Sequence, residues 1–158
     1  MLAIHALGIA SARPARDARQ IINRRVPQVV DHRLRADLAG FAERGSVLSD
    51  PPSNPLAYHA LSTFMLGEAV RTLGKRASAG AQQARRETLD ALSMLMAPDG
   101  DTSYMGRGQS QVWVPGIAAG ALAAGARDAL EQGSPRRAGR YLAGALAAVD
   151  RLRARHAR

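Results

Sequence analysis

An all-helical fold is predicted by three features of the chain. Aromatic residues make up only 4% of it, its 46% hydrophobic content is supplied mainly by Leu, Ala, Val, Ile and Met, and apolar stripes at helical spacing recur between clusters of Gly, Pro and Asn. Alanine has the highest helix propensity, whereas strands favour aromatic and β-branched side chains, so this supply suits closely packed helices better than a sandwich of sheets. At 158 residues the chain has the size of one ordinary domain, and it is too hydrophobic for a disordered tail. The expected architecture is a single all-α domain over 1–158 built from antiparallel helical hairpins.

The elements follow in order. Short helical blocks are expected over Leu2 to Ala10, Pro14 to Arg25 and Pro27 to Arg44, with Pro27 breaking or kinking the path; together they make an N-terminal region, 1–44. The stretch Gly45 to Pro55 contains Pro51, Pro52 and Pro55 and cannot continue a helix, because proline removes a donor and restricts the residue before it. A helix should then run from Leu56 to Leu73, with Leu61, Phe64, Met65, Glu68 and Val70 in register and Gly74 as its stop. Its antiparallel partner should cover Ala79 to Ala97, where Leu89, Leu92, Leu95 and Met96 form a stripe and Arg85, Arg86 and Glu87 lie near the opposite face. A third helix, from Ser110 or Pro115 to Leu130, is small or apolar nearly all round and should be interior. The last, Pro135 to Arg155, is amphipathic: Tyr141, Leu142, Ala145, Leu146, Val149 and Leu152 on one face, Arg140, Asp150, Arg151 and Arg153 outside. These four form the helical-hairpin region, 54–155.

The formal charge of +9 points to anionic partners, but its distribution weakens the point. Lysine occurs once, at Lys75, against 21 arginines, a skew typical of GC-rich coding. The arginines are spread over three regions without a basic-aromatic block, so nucleic acid is not favoured as a partner. With no cysteine there are no disulfides, thiolate chemistry or Cys-ligated zinc, and His5, His32, His59 and His156 are too far apart in sequence for a helical metal pair. No metal and no cofactor is expected. The run Met1 to Ala12 ends in Ala10-Ser11-Ala12 like a cleavage site, but it lacks a basic start and is interrupted by His5. It reads as a first helix, and with no run near ~18 apolar residues no membrane span is expected. A soluble chain, with the cytoplasm favoured, is the expectation.

If the four later helices run up, down, up and down, the loops entering the first and the third open on one end of the bundle. Asn54, Tyr58 and His59 would then share a surface with Asp101, Tyr104, Arg107, Gln109 and Trp113. Helix N-termini there favour anionic groups. Bland readings stand beside this one. Tyr58 and His59 can close a loop by hydrogen bonding, Asp99-Gly100 is a common turn pair, Gly106 and Gly108 can bend the chain around Arg107, and Trp113 with Pro115 can anchor the loop.

Paired helices whose inner entrances carry Asn54-Pro55-Leu56-Ala57-Tyr58-His59 and Asp99-Gly100-Asp101-Thr102-Ser103-Tyr104-Met105-Gly106-Arg107-Gly108-Gln109 resemble part of an (α/α) toroid of the carbohydrate-active kind, which includes polysaccharide lyases and six-hairpin glycosidases. The resemblance covers roughly Asn54 to Arg155. It implies a polysaccharide-processing or glycan-binding segment acting on acidic glycans by β-elimination. Asn54 and Arg107 would neutralise a uronate carboxylate, His59 or Tyr58 would take the C5 proton, Tyr104 would protonate the leaving oxygen, Trp113 would stack on a sugar ring, and Asp101 and Gln109 would bind substrate. Neutralisation and base must act together, because the proton is acidic only when the adjacent charge is offset. Asp99 and Asp101, two apart in one turn, are poorly placed to flank a glycosidic bond as a hydrolase requires. A toroid needs more helices than this chain holds, so the resemblance also implies self-association or a second chain that completes the ring. The alternatives are a non-catalytic helical scaffold or interaction protein and, third, a basic nucleic-acid-associated helical protein.

Overall fold

The computed structural model describes residues 46–48, 56–102 and 111–157. The helices expected within 1–44 lie outside the described residues, as do the site candidates Asn54, Tyr104, Arg107 and Gln109. Among the described residues the chain is all-α: helix α1 (Leu56–Leu73), a 3-10 turn (Gly74–Arg76), α2 (Ala79–Leu95), α3 (Val114–Glu131) and α4 (Pro135–His156), with no strand. None of these helices is long and apolar enough to cross a membrane.

Local chemistry sets the boundaries. Helix α1 stops at the predicted Gly74, and the hydroxyl of Ser78 caps α2 by accepting the Ala81 amide proton at 3.1 Å. So short a connection makes α1 and α2 antiparallel, and Leu66, Val70, Leu73, Ala77, Ala81 and Ala84 fill the closed end of that hairpin. Proline lies in the first turn of both α3 and α4, where its missing N–H costs nothing.

Helix α3 is central and packs on the other three. Its small residues let them close in: a Cβ at Gly125 would lie 2.8 Å from Cδ1 of Leu89 on α2 and 3.1 Å from Cδ2 of Tyr141 on α4. The main core is accordingly short-chained, with Ala57 and Ala60 of α1, Leu89 and Leu92 of α2, Val114, Ala118, Ala121 and Leu122 of α3, and Tyr141, Ala145 and Ala148 of α4 all buried.

Helix α4 buries Tyr141 and Ala145 and packs Val149 on the core as predicted, but it is rotated so that part of the predicted stripe leaves the core. Ala138, Tyr141, Ala145 and Ala148 face inward, while Leu142 and Leu146 are 50% and 58% exposed. Close approach to α3 accepts alanine and leaves no room for leucine, so the two leucines turn to solvent. The same rotation brings Arg151, predicted to lie outside, against the α2–α3 connection.

The four helices thus alternate in direction. The entrances of α1 and α3 and the exits of α2 and α4 meet at one end of the bundle, where Tyr58 touches Trp113 and Arg151 reaches Asp101.

Candidate functional site

That shared end is where the sequence places its site, and the described candidates His59, Tyr58, Asp101 and Trp113 are all found there. His59 lies in the first turn of α1 and is 1% exposed. Its Nδ1 accepts the Leu48 amide proton at 3.1 Å, which puts the ring proton on Nε2, and Nε2 faces the Thr88 carbonyl of α2 at 3.2 Å. Burial pulls the imidazole pKa down to about 4 against the smaller upward pull of the Thr88 carbonyl, so the ring is neutral at pH 7. With both nitrogens engaged, no lone pair is left for a substrate proton. In this arrangement His59 is a bridge that ties residue 48 and two helices together.

Tyr58 and Trp113 form an edge-to-face pair, centroids 6.4 Å apart at 75°. The Gln111 side-chain amide donates to the Tyr58 hydroxyl at 3.5 Å, so the flank of one loop meets the flank of the other. Trp113 stands at the start of α3, anchored by the fully buried Val114 beside it.

Asp101 is 7% exposed and clamped. Its Oδ2 accepts from Arg151 at 2.8 Å and from Arg155 at 3.1 Å, while Arg151 also holds Asp99 Oδ2 at 3.0 Å. Asp99 in turn accepts the Asp101 amide proton at 3.1 Å, and the Ala97 N–H donates to the Asp101 carbonyl at 2.9 Å. Arg155 also donates to the Gln111 carbonyl at 3.2 Å, tying the exit of α4 to the entrance of α3. Within this network the Asp101 carboxylate fixes the exit of α2 against α4.

Arg151 and Arg155 are the residues that reading the sequence missed. Their signal is present in the chain as two arginines one turn apart on α4 and two carboxylates, Asp99 and Asp101, two apart in one loop, but only the α4 rotation shows that they face each other. Pairing of this kind is general among the described arginines. Of the 11 described arginines, at least 8 lie within 4 Å of a carboxylate oxygen, among them Arg85 with Asp128 and both Arg137 and Arg140 with Asp90. Among the described residues no group of three or more His, Asp or Glu could hold a metal ion.

Comparison of this chain with protein-family models, curated proteins and solved structures finds no match.

Proposed function

We propose that this chain is a helical interaction module that pairs with a second copy of itself through the outer face of α4. The observation that carries this reading is the exposure of Leu142 and Leu146, one turn apart on a helix whose inner face is already filled. Gly139, Leu142 and Leu146 recur at the three-four spacing of a coiled-coil seam. In an antiparallel pairing level at Gly144, Leu142 faces the partner's Leu146. In that register Arg136 comes beside the partner's Asp150, so apolar centre and charged flanks match at once.

Four half-exposed leucines contribute roughly 3–6 kcal/mol of apolar burial, which places the dimer Kd between tens of micromolar and about a few millimolar. Sedimentation equilibrium across that range should show monomer passing to dimer. The double variant L142E/L146E should remain monomeric with an unchanged melt, since Glu is a good helix former on an exposed face. R136E should weaken the dimer about tenfold, and adding D150R should restore it. Wild type that stays monomeric at millimolar concentration ends this reading.

A second reading is favoured by the aromatic pair at the two-loop end: a glycan-binding segment of toroid type, with Tyr58 and Trp113 as the stacking shelf and no proton abstraction by His59. Trp113 is the sole tryptophan, so its emission reports on the shelf directly. Titration with a uronate polysaccharide should quench or shift that emission, with Tyr58→Ala weakening the response. An emission indifferent to acidic, neutral and sulfated polysaccharides alike removes the shelf.

A further inference from the structure

The opposite end of the bundle holds a cleft of about 80 Å³ between the start of α2, the end of α3 and the start of α4. Its polar lining is Arg85, Arg86, Arg137, Gln82 and Gln132, together with Tyr141 and the carboxylate of Asp128, which Arg85 neutralises. A space of about 80 Å³, open to solvent on one side, has room for a small tetrahedral oxyanion.

The charges around the cleft do not cancel. Asp128 pairs with Arg85, and Asp90 is shared by Arg137 at 3.7 Å and Arg140 at 2.8 Å. Asp90 also accepts the Tyr141 hydroxyl proton at 2.9 Å, which spends part of its acceptor capacity on a neutral donor. Arg86 bonds the neutral amide of Gln83 at 2.6 Å and has no carboxylate partner among the described residues. Four arginines therefore stand against two aspartates. Arg86 and Arg137 come from different helices, and the 3.7 Å Arg137–Asp90 contact exceeds hydrogen-bond length.

We propose that this cleft binds a phosphate group, held between the guanidinium groups of Arg86 and Arg137 and the amides of Gln82 and Gln132, with Arg85 fixed behind them by Asp128. A planar guanidinium presents paired N–H donors to adjacent oxygens of a tetrahedral oxyanion, and two from separate helices hold it from two sides. Any larger phosphomonoester would seat its phosphoryl group and leave the rest of the molecule in solvent. The site is independent of the α4 dimer face, so L142E/L146E keeps it.

The test is the thermal midpoint of the full chain at pH 7 in a non-phosphate buffer, with inorganic phosphate against chloride at matched ionic strength. Phosphate should raise the midpoint in a saturable manner and chloride should not. The variant R86Q/R137Q should keep the basal midpoint and lose the phosphate shift, R86K/R137K should recover part of it, and R153Q, which removes one exposed charge elsewhere, should retain all of it. A glucose 6-phosphate arm distinguishes the source. A larger shift than with inorganic phosphate assigns the site to a phosphomonoester, and a smaller one to the free ion. Should R86Q/R137Q lower the basal midpoint, phosphorus NMR line broadening of inorganic phosphate by the folded variant replaces the melt. Equal shifts with chloride, or a phosphate response that survives in R86Q/R137Q, overturn the proposal.

Discussion

Gly100→Ala is expected to lower the melting midpoint by on the order of 10 °C, corresponding to roughly 3–5 kcal/mol in a domain of this size. Two causes add. Gly100 has φ +80°, a backbone conformation that costs an L-residue about 1–2 kcal/mol. A Cβ there would also lie 2.1 Å from the carbonyl oxygen of Ala147 and 2.3 Å from its carbon, both backbone atoms of α4 that cannot swing aside. To relieve the clash the α2–α3 connection must lift off α4, and lifting it stretches the Asp99 and Asp101 contacts to Arg151 and Arg155. Gly74→Ala separates the causes, because Gly74 has φ +54° with nothing within 4 Å of its Cβ position. That variant should lose only the conformational share. Equal destabilisation of the two would mean that the contact with Ala147 contributes nothing.

The glycine also shows where sequence reading succeeds and where it stops. Asp99-Gly100 is legible as a turn because the pair supplies a side-chain acceptor and a residue tolerant of positive φ, and both features are used. That this turn is pressed against α4 is not legible, since nothing local to residues 99–101 names the surface opposite. Helix positions follow the same rule. Helix α1 forms over Leu56–Leu73 as its Pro-rich entrance and Gly74 exit predict, and α3 is interior as its Ala and Gly content predicts. The orientation of α4 is met at Tyr141, Ala145 and Val149 and missed at Leu142 and Leu146, because hydrophobic periodicity ranks leucine above alanine as a core residue, whereas a neighbour lined with Ala and Gly selects for small side chains. Ala138 and Ala148 are therefore in the core while Leu142 and Leu146 are outside it.

The candidate site divides in the same way. That the α1 and α3 entrances share one end follows from alternating helix directions, and the contact of Tyr58 with Trp113 shows it. The roles of the individual residues do not follow. A polar residue at a helix entrance can face a ligand or lock the entrance, and the two arrangements have the same sequence. Asp101 is clamped by two arginines more than 40 residues away in sequence, and His59 is held by a backbone amide on one side and a carbonyl on the other. Among the described candidates, His59 and Asp101 are thus committed to holding the helices together.

Acid should expose that commitment at His59. Above pH 6.5 the imidazole is neutral in the folded and unfolded chain alike, so protonation does not affect stability. As pH falls from 6.5 toward about 4, the unfolded chain takes up a proton that the buried ring refuses, and stability drops by up to roughly 1.4 kcal/mol per pH unit. Over that window the loss reaches roughly 3 kcal/mol, and below about 4 it levels off because the folded ring is protonated as well. Protonation has a structural consequence too: Nδ1 must become a donor, and it then points its proton at the Leu48 N–H, so the first contact to break is the one holding residue 48 on α1. Urea unfolding at intervals between pH 7 and pH 4 measures the slope. His59→Gln, whose amide can still reach one of the two partners, should be less stable at pH 7 by roughly 1–3 kcal/mol for the unsatisfied group it leaves, and should lose most of the pH dependence in this window. Other carboxylates and histidines titrate in both proteins and cancel in the difference between the two curves. Parallel curves for wild type and His59→Gln would place the acid sensitivity elsewhere and leave the neutral buried imidazole without thermodynamic weight.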